Sequence, residues 1–257
     1  PATISPAKSV ANVTAPSEAA SCKATPSEAT KVRAIATLEV FLGGASYGFM
    51  ATTYKLSYAA GFTSNQVVAV QGWFGLILFA IAFAVSMVRG KRWQRVGARS
   101  ALSLMGLGCF TCCTSILYCY AMSVLPVSVA LTLLFQFTWI GTVLQIILTR
   151  KPPALSQVIA ATVVILGTVF ASGVYKTGIA GYDPLGLVCG FGAAISCACF
   201  VTFSGRVKAP CSNEQRGVIV CAGVVIASHL VCPDFIVSGV LLDGFAPYAF
   251  VCGLFGM

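Results

Sequence analysis

The chain of 257 residues is 58% hydrophobic and only 9% charged, with a mean hydropathy of +0.90. A globular domain of average composition carries about 25% charge, so these values exclude a water-soluble fold and point to a bilayer. The net charge of +9 does not mark a nucleic-acid binder, because Lys and Arg fall in short segments between apolar runs, where they set membrane orientation.

Backbone groups in hydrocarbon must bond within the protein, which leaves helices or a closed barrel. The apolar runs are long and continuous rather than alternating with period two, so an all-α, polytopic membrane bundle is expected. Residues 1–33 are rich in Ala, Ser, Thr and Pro, and repeat PSEA at 16–19 and 26–29. They lack the apolar run of a signal peptide and read as a disordered tail. A first helix is expected over about Ala34–Ala60. A turn at Gly61–Asn65 follows, with Ser64 or Asn65 capping a second helix that ends near Val88. The segment RGKRWQRVGAR (89–99) carries five basic residues.

No Asp, Glu, Lys, Arg or His occurs between Arg99 and Arg150. A span needs about 20 apolar residues, so this interval holds two, folded back at Ser123-Val124-Leu125-Pro126. Proline belongs in a first helical turn, and Ser123 is the expected cap. Helix 3 is expected over Ser100–Met122 and helix 4 over Pro126–Thr149, stopped by Arg150-Lys151-Pro152-Pro153. Helix 5 follows over about Ala154–Val174. Asp183-Pro184 opens helix 6, which ends near Gly205, and helix 7 runs over about Gln215–Val231. An eighth begins near Pro247, so the chain is expected to be truncated within it. Nine of the twelve cysteines lie inside these spans, with Cys22, Cys211 and Cys232 outside or at a boundary, and read as small apolar packing residues. Cys109-x-x-Cys112-Cys113 has no acid or histidine beside it and is not read as a metal site.

All Lys and Arg except Lys55 and Lys176 fall on one side of this topology. The positive-inside rule then places the N-terminus in the cytoplasm, for a multi-pass protein of the cytoplasmic membrane. GASYGFMATTYKLSYAAGFTSNQ aligns weakly with FGAAISCACFVTFSGRVKAPCSNE, Gly44 falling on Gly192 and Ser64-Asn65-Gln66 on Ser212-Asn213-Glu214. The two turns lie on opposite sides, so the second copy is inverted, as in secondary transporters. The expected organisation is a cytoplasmic tail (1–33), a first five-helix repeat (34–175) and a partial inverted repeat (183–257).

The segment YCYAMS-LPVSVA (118–123, 125–130), the stop RKPP and the run SQVIAATVVILGTVF together resemble an EamA-type transporter of the drug/metabolite transporter superfamily. Tyr54-Lys55-Leu56 and the Ser/Asn-containing turn after helix 1 fit as well. The resemblance covers roughly residues 35–257 and implies ten helices in two inverted halves of five. Where that family commonly has a proline in the middle of helix 4, this chain reads Leu134-Phe135-Gln136-Phe137.

Polar groups inside apolar spans are costly, and so mark candidate sites. Lys55 either snorkels to the headgroups or meets substrate or a counter-ion. Glu39 is an interfacial acid or a proton-coupling carboxylate, and His229 an interfacial residue or a relay. Gln136 and Trp139 are three apart and share a face, opposite Tyr118 or Tyr120. Tyr47, Lys55, Gln71, Tyr118, Tyr120, Gln136 and Trp139 are therefore the expected substrate pathway. Gln71 and Trp73, two apart, diverge. The function expected is secondary transport of a small polar metabolite, an amino acid or similar solute, in the outward direction, by alternating access. Proton-coupled multidrug export is the alternative. A membrane-embedded enzyme, or a structural or receptor protein, is the alternative of another class. An enzyme is disfavoured because no nucleophile, base or ligand set is grouped at one depth. No cofactor is implied; the partners expected are a small-molecule substrate and the bilayer.

Overall fold

The computed structural model describes residues 26–90, 93–150, 152–153, 155–172, 181–207, 209–233, 247 and 251, apart from some side chains in α1 and α5. Seven helices make up the described fold, and no strand occurs among the described residues: α1 (Pro26–Ala59), α2 (Ser64–Val88), α3 (Ala98–Val124), α4 (Val127–Thr149), α5 (Leu155–Ser172), α6 (Pro184–Ser204) and α7 (Asn213–Val231). Five of them, α2, α3, α4, α6 and α7, are long and apolar enough to cross a membrane. The chain divides into two compact units, Pro1–Ala45 and Ser46–Met257. The first contains the opening turns of α1, and the second the rest of α1 and all the other helices. The eighth expected span falls almost entirely outside the described residues.

Local chemistry sets the helix ends. α1 is already helical at Pro26, the first described residue, rather than only from near Ala34, since Ser27–Arg33 are mostly good helix formers. It ends in a Schellman turn, with Phe62 N–H on Ser57 O at 3.1 Å, Gly61 N–H on Tyr58 O at 3.0 Å, and Gly61 at φ +91°. α2 is capped by Thr63, not by Ser64 or Asn65. Thr63 Oγ1 accepts from Gln66 N–H, and Gln66 Oε1 accepts from Thr63 N–H at 2.9 Å, a reciprocal box that neither neighbour can form. Pro126 is the N-cap of α4, and Ser123 turns back to donate to Tyr120 O at 2.7 Å instead of capping the next helix. Asp183 caps α6 through Gly186 N–H at 3.0 Å, with Pro184 behind it. Ser212 caps α7 through Gln215 N–H at 3.2 Å.

α4 is not the continuous helix that its composition suggests. It breaks at Gln136 into Val127–Phe135 and Phe137–Thr149. The Gln136 N–H bonds Leu133 O at 3.2 Å, one residue short of helical register, and the Gln136 side-chain amide donates to Thr132 O at 3.0 Å. The side chain thus takes the carbonyl that the backbone has left, and no proline is needed for the bend.

Packing follows from small residues, as expected where lipid supplies no hydrophobic drive between helices. α3 lies antiparallel along α6, with Leu117 near Gly192, Ala121 near Gly190 and Leu125 near Gly186. Gly186, Gly190, Ala194 and Ala198 recur every fourth residue on α6 and are all buried. α2 lies antiparallel to α7, with Phe79 on Gly217 and Val224 beside Gly72. α3 and α7 meet backbone to backbone: a Cβ added at Gly108 would lie 2.8 Å from Val224 N, and one at Gly223 would lie 2.9 Å from Met105 Cα. The outer sides of α2, α5 and α6 carry exposed Ile77, Ile81, Leu155, Ile159, Val163, Phe170 and Val188, a surface suited to acyl chains. Most helical hydroxyls bond within their own helix, for example Ser57 Oγ to Thr53 O and Thr114 Oγ1 to Phe110 O, each at 2.9 Å.

The crossing gives a direct test. Gly108→Ala and Gly223→Ala each force backbone apart and should destabilise the purified protein by about 1–3 kcal/mol. Gly106→Ala, with no atom within 4 Å of the added methyl, should stabilise by about 0.5–1 kcal/mol through helix propensity. Thermal unfolding in detergent reads both.

Candidate functional site

The polar side chains of the apolar spans separate into two groups. The first gathers at one end of the bundle, around the last turns of α1, the first of α2 and the last of α3. Tyr54 and Gln71 are almost wholly buried, and the tyrosine hydroxyl donates to Gln71 Oε1 at 2.6 Å. Spacing explains why α1 brings several groups here. Tyr54 and Tyr58 are four apart on one face, their rings 6.5 Å from each other, and Tyr118 of α3 packs 6.3 Å from Tyr54. Tyr58 Oη donates to Cys119 O at 3.1 Å.

Lys55 completes the group. It is half-buried, and Nζ donates to Leu125 O at 3.0 Å. Leu125 is the C-cap of α3, where carbonyls lack helical partners and the helix dipole is negative, so a cation is favourable there. Lys55 therefore reaches across to the α3–α4 link rather than out along its own helix. The ammonium has three donors, and this contact uses one.

A neighbouring contact joins α2 to α7. Trp73 Nε1 donates to His229 Nε2 at 3.4 Å with the rings edge to face, and His229 Nδ1 lies 2.8 Å from Val225 O. A carbonyl only accepts and an indole N–H only donates, so this pair of contacts fits the tautomer with the proton on Nδ1. His229 is thereby an interhelical packing partner of Trp73.

Gln136 and Trp139 form the second group, on α4. Trp139 Nε1 donates to Gln136 Oε1 at 2.8 Å, and the Gln136 amide is the one that fills the break at Thr132 O. The pair is satisfied within its own helix, with neither Tyr118 nor Tyr120 as a hydrogen-bond partner in the described contacts. Thr132 continues outward, its Oγ1 donating to Thr168 O of α5 at 3.1 Å. One turn away, Thr132, Leu133, Leu187 and Phe191 line an open, almost wholly apolar groove of about 430 Å³ between α4 and α6. Tyr120 is half-buried on a different face of α3 from Tyr118. The side chains of Glu39 and Tyr47 lie outside the described residues.

The structure thus sets Gln71 and Tyr118 against Tyr54, with Lys55 at the same end of the bundle on Leu125 O, and places Gln136 and Trp139 apart. Tyr54 and Tyr58 join the first group unforeseen, although their four-residue spacing beside Lys55 was a visible signal. The opposite end has its own polar cluster. Ser86 Oγ donates to Glu214 Oε1 at 3.4 Å, Gln215 bonds the Gln94 backbone twice, and Arg216 donates to Val207 O at 3.2 Å and to Ser204. Three successive residues of α7 so hold α2, the following loop and the end of α6. Among the described residues no group of His, Cys, Asp and Glu is placed to hold a metal.

A family model, the EamA-like transporter family, matches residues 34–173, more than half of the chain. Searches of characterised proteins and of solved structures give no significant match.

The break in α4 generates its own prediction. Val143→Pro, at an exposed position within an intact segment, should cost the full penalty of about 3 kcal/mol. Gln136→Pro falls where the helical bond to Thr132 O is already absent, and should cost less than half of that. Comparing thermal midpoints and membrane abundance of the two variants checks it.

Proposed function

Since the chain belongs to the EamA-like transporter family, within the drug/metabolite transporter superfamily, we propose that it is a secondary carrier for a small polar metabolite with a carboxylate, such as an amino acid. Its route passes the cluster of Lys55, Tyr54, Gln71 and Tyr118. The observation that carries this reading is Lys55. Its half-buried ammonium reaches from α1 to the α3–α4 link at the same end as the Tyr54–Gln71 pair, with donors to spare after its bond to Leu125 O. Substrate sites combine apolar walls with a few placed polar groups, and tyrosine rings beside one amide, with an ammonium at the same end of the bundle, have that character. Outward transport across the cytoplasmic membrane is part of the proposal; the placement of the N-terminus in the cytoplasm rests on the distribution of Lys and Arg.

Alternating access between inverted halves belongs to the same proposal. It is supported by the antiparallel run of α2 and α7, the helices that follow the two copies of the sequence repeat, and by their matching Thr63 and Ser212 caps.

Counterflow in proteoliposomes tests the reading. A panel of amino acids, sugars, nucleosides and lipophilic cations should show exchange for carboxylate-bearing solutes. Lys55→Met keeps the apolar stem and removes the charge. It should raise KM about tenfold or more, the worth of a charge-assisted hydrogen bond of about 1.5–3 kcal/mol, at near-normal abundance. An unchanged KM removes Lys55 from the route, and exchange confined to lipophilic cations contradicts the substrate class.

A further inference from the structure

At the end of the bundle opposite Lys55, a second open groove of about 480 Å³ lies between α3 and α7 beneath the loop that precedes α3. We propose that this groove binds an anionic phospholipid, its phosphate on Arg95 and an acyl chain along the apolar floor.

The groove is held open by bonds of the protein itself. Gln215 is fully buried, and its side chain pairs with the backbone of Gln94 in both directions, Oε1 accepting from Gln94 N–H at 3.3 Å and Nε2 donating to Gln94 O at 2.8 Å. This pair of hydrogen bonds fixes the loop over the groove. Trp93, next along, packs edge to face on Phe83 of α2 at 5.3 Å. Trp93 and Arg95 then form the rim, while Ala101 and Met105 of α3 and Ile219 and Ala222 of α7 form the floor. Met105 on the floor is itself at the crossing, its Cα 2.9 Å from where a Cβ at Gly223 would lie.

Charge decides the occupant. Arg95 is exposed and has no hydrogen bond or ion pair among the described residues, so its five donors face outward. Arg89 and Arg99, on either side of it in the sequence, are exposed as well, and no acid lines the groove among the described residues. Glu214, a turn before Val218, is engaged by Ser86. A tryptophan beside an arginine, above an apolar floor at the end of membrane spans, matches the sequence of headgroup, interface and acyl chain in a lipid leaflet. A soluble anion would use Arg95 and leave the floor unfilled; a neutral lipid would use the floor and leave Arg95 unpaired.

The test needs no transport assay, so it stands or falls separately from the proposed carrier function. Purified protein in a non-ionic detergent is titrated with phosphatidylglycerol, phosphatidylcholine or inorganic phosphate, and binding is read by native mass spectrometry and thermal shift. Phosphatidylglycerol should bind preferentially. Arg95→Gln should reduce that preference about fivefold, the worth of one basic residue at an anionic surface. Ala222→Leu, which narrows the floor, should weaken both lipids. Equal binding of the two lipids, a preference that survives Arg95→Gln, or inorganic phosphate shifting the midpoint as much as phosphatidylglycerol would each overturn the assignment.

Discussion

The crossing of α3 and α7 at Gly108 and Gly223 is the contact on which the arrangement of the bundle turns. Apolar side chains gain nothing by leaving lipid for one another, so helices hold together through close backbone approach and dispersion. Once α7 lies against α3 at this depth, its two ends are placed. Its N-terminal turn meets α2, the loop before α3 and the end of α6 through Glu214, Gln215 and Arg216. Its C-terminal turn brings His229 to Trp73. The small-residue stripe of α6 lets α3 and α4 close in from the other side, with Gly190 against both Leu133 and Ala121.

Polar bonding between helices is densest at the two ends; between them, Ser196 Oγ of α6 donates to Phe110 O of α3 at 2.9 Å and Thr132 Oγ1 to Thr168 O at 3.1 Å, amid glycine, alanine and hydroxyls bonded to their own helices. Interhelical polar bonds in membranes average about 0.6 kcal/mol each, so neither end is clamped irreversibly. That distribution suits a carrier, which must open first at one end and then at the other around a stable middle. It also separates the two ligand chemistries proposed above: a carboxylate near Lys55 and a lipid phosphate near Arg95, at opposite ends.

Much of this was legible in the residues themselves. The apolar runs, the Pro126 link, the Asp183-Pro184 start and the basic stop after Thr149 each act through local chemistry, and all mark helix ends in the structure within a few residues. The Gln136 break was hidden because sequence signals for a kink are proline and glycine, whereas here a glutamine amide replaces the missing backbone donor. The Gly186, Gly190, Ala194, Ala198 stripe was present at helical spacing but has meaning only beside a partner helix. The site divides in the same way. Lys55, Gln71 and Tyr118 stand out as polar groups in apolar spans. That Gln136 and Trp139 bond to each other, and His229 to Trp73, depends on rotamers and on contacts up to 156 residues apart in the chain.

The central claim is that these two polar ends lie on opposite sides of a membrane, the Lys55 end outside and the Gln215 end inside. A membrane-impermeant maleimide applied to intact cells expressing Ala60→Cys, with modified peptides identified by mass spectrometry, tests it directly. Ala60 is exposed at the turn between α1 and α2, and Cys211 lies in the turn before α7. The account predicts labelling at position 60 in intact cells, and at Cys211 only after the membrane is permeabilised. Labelling of both from the same side would contradict it.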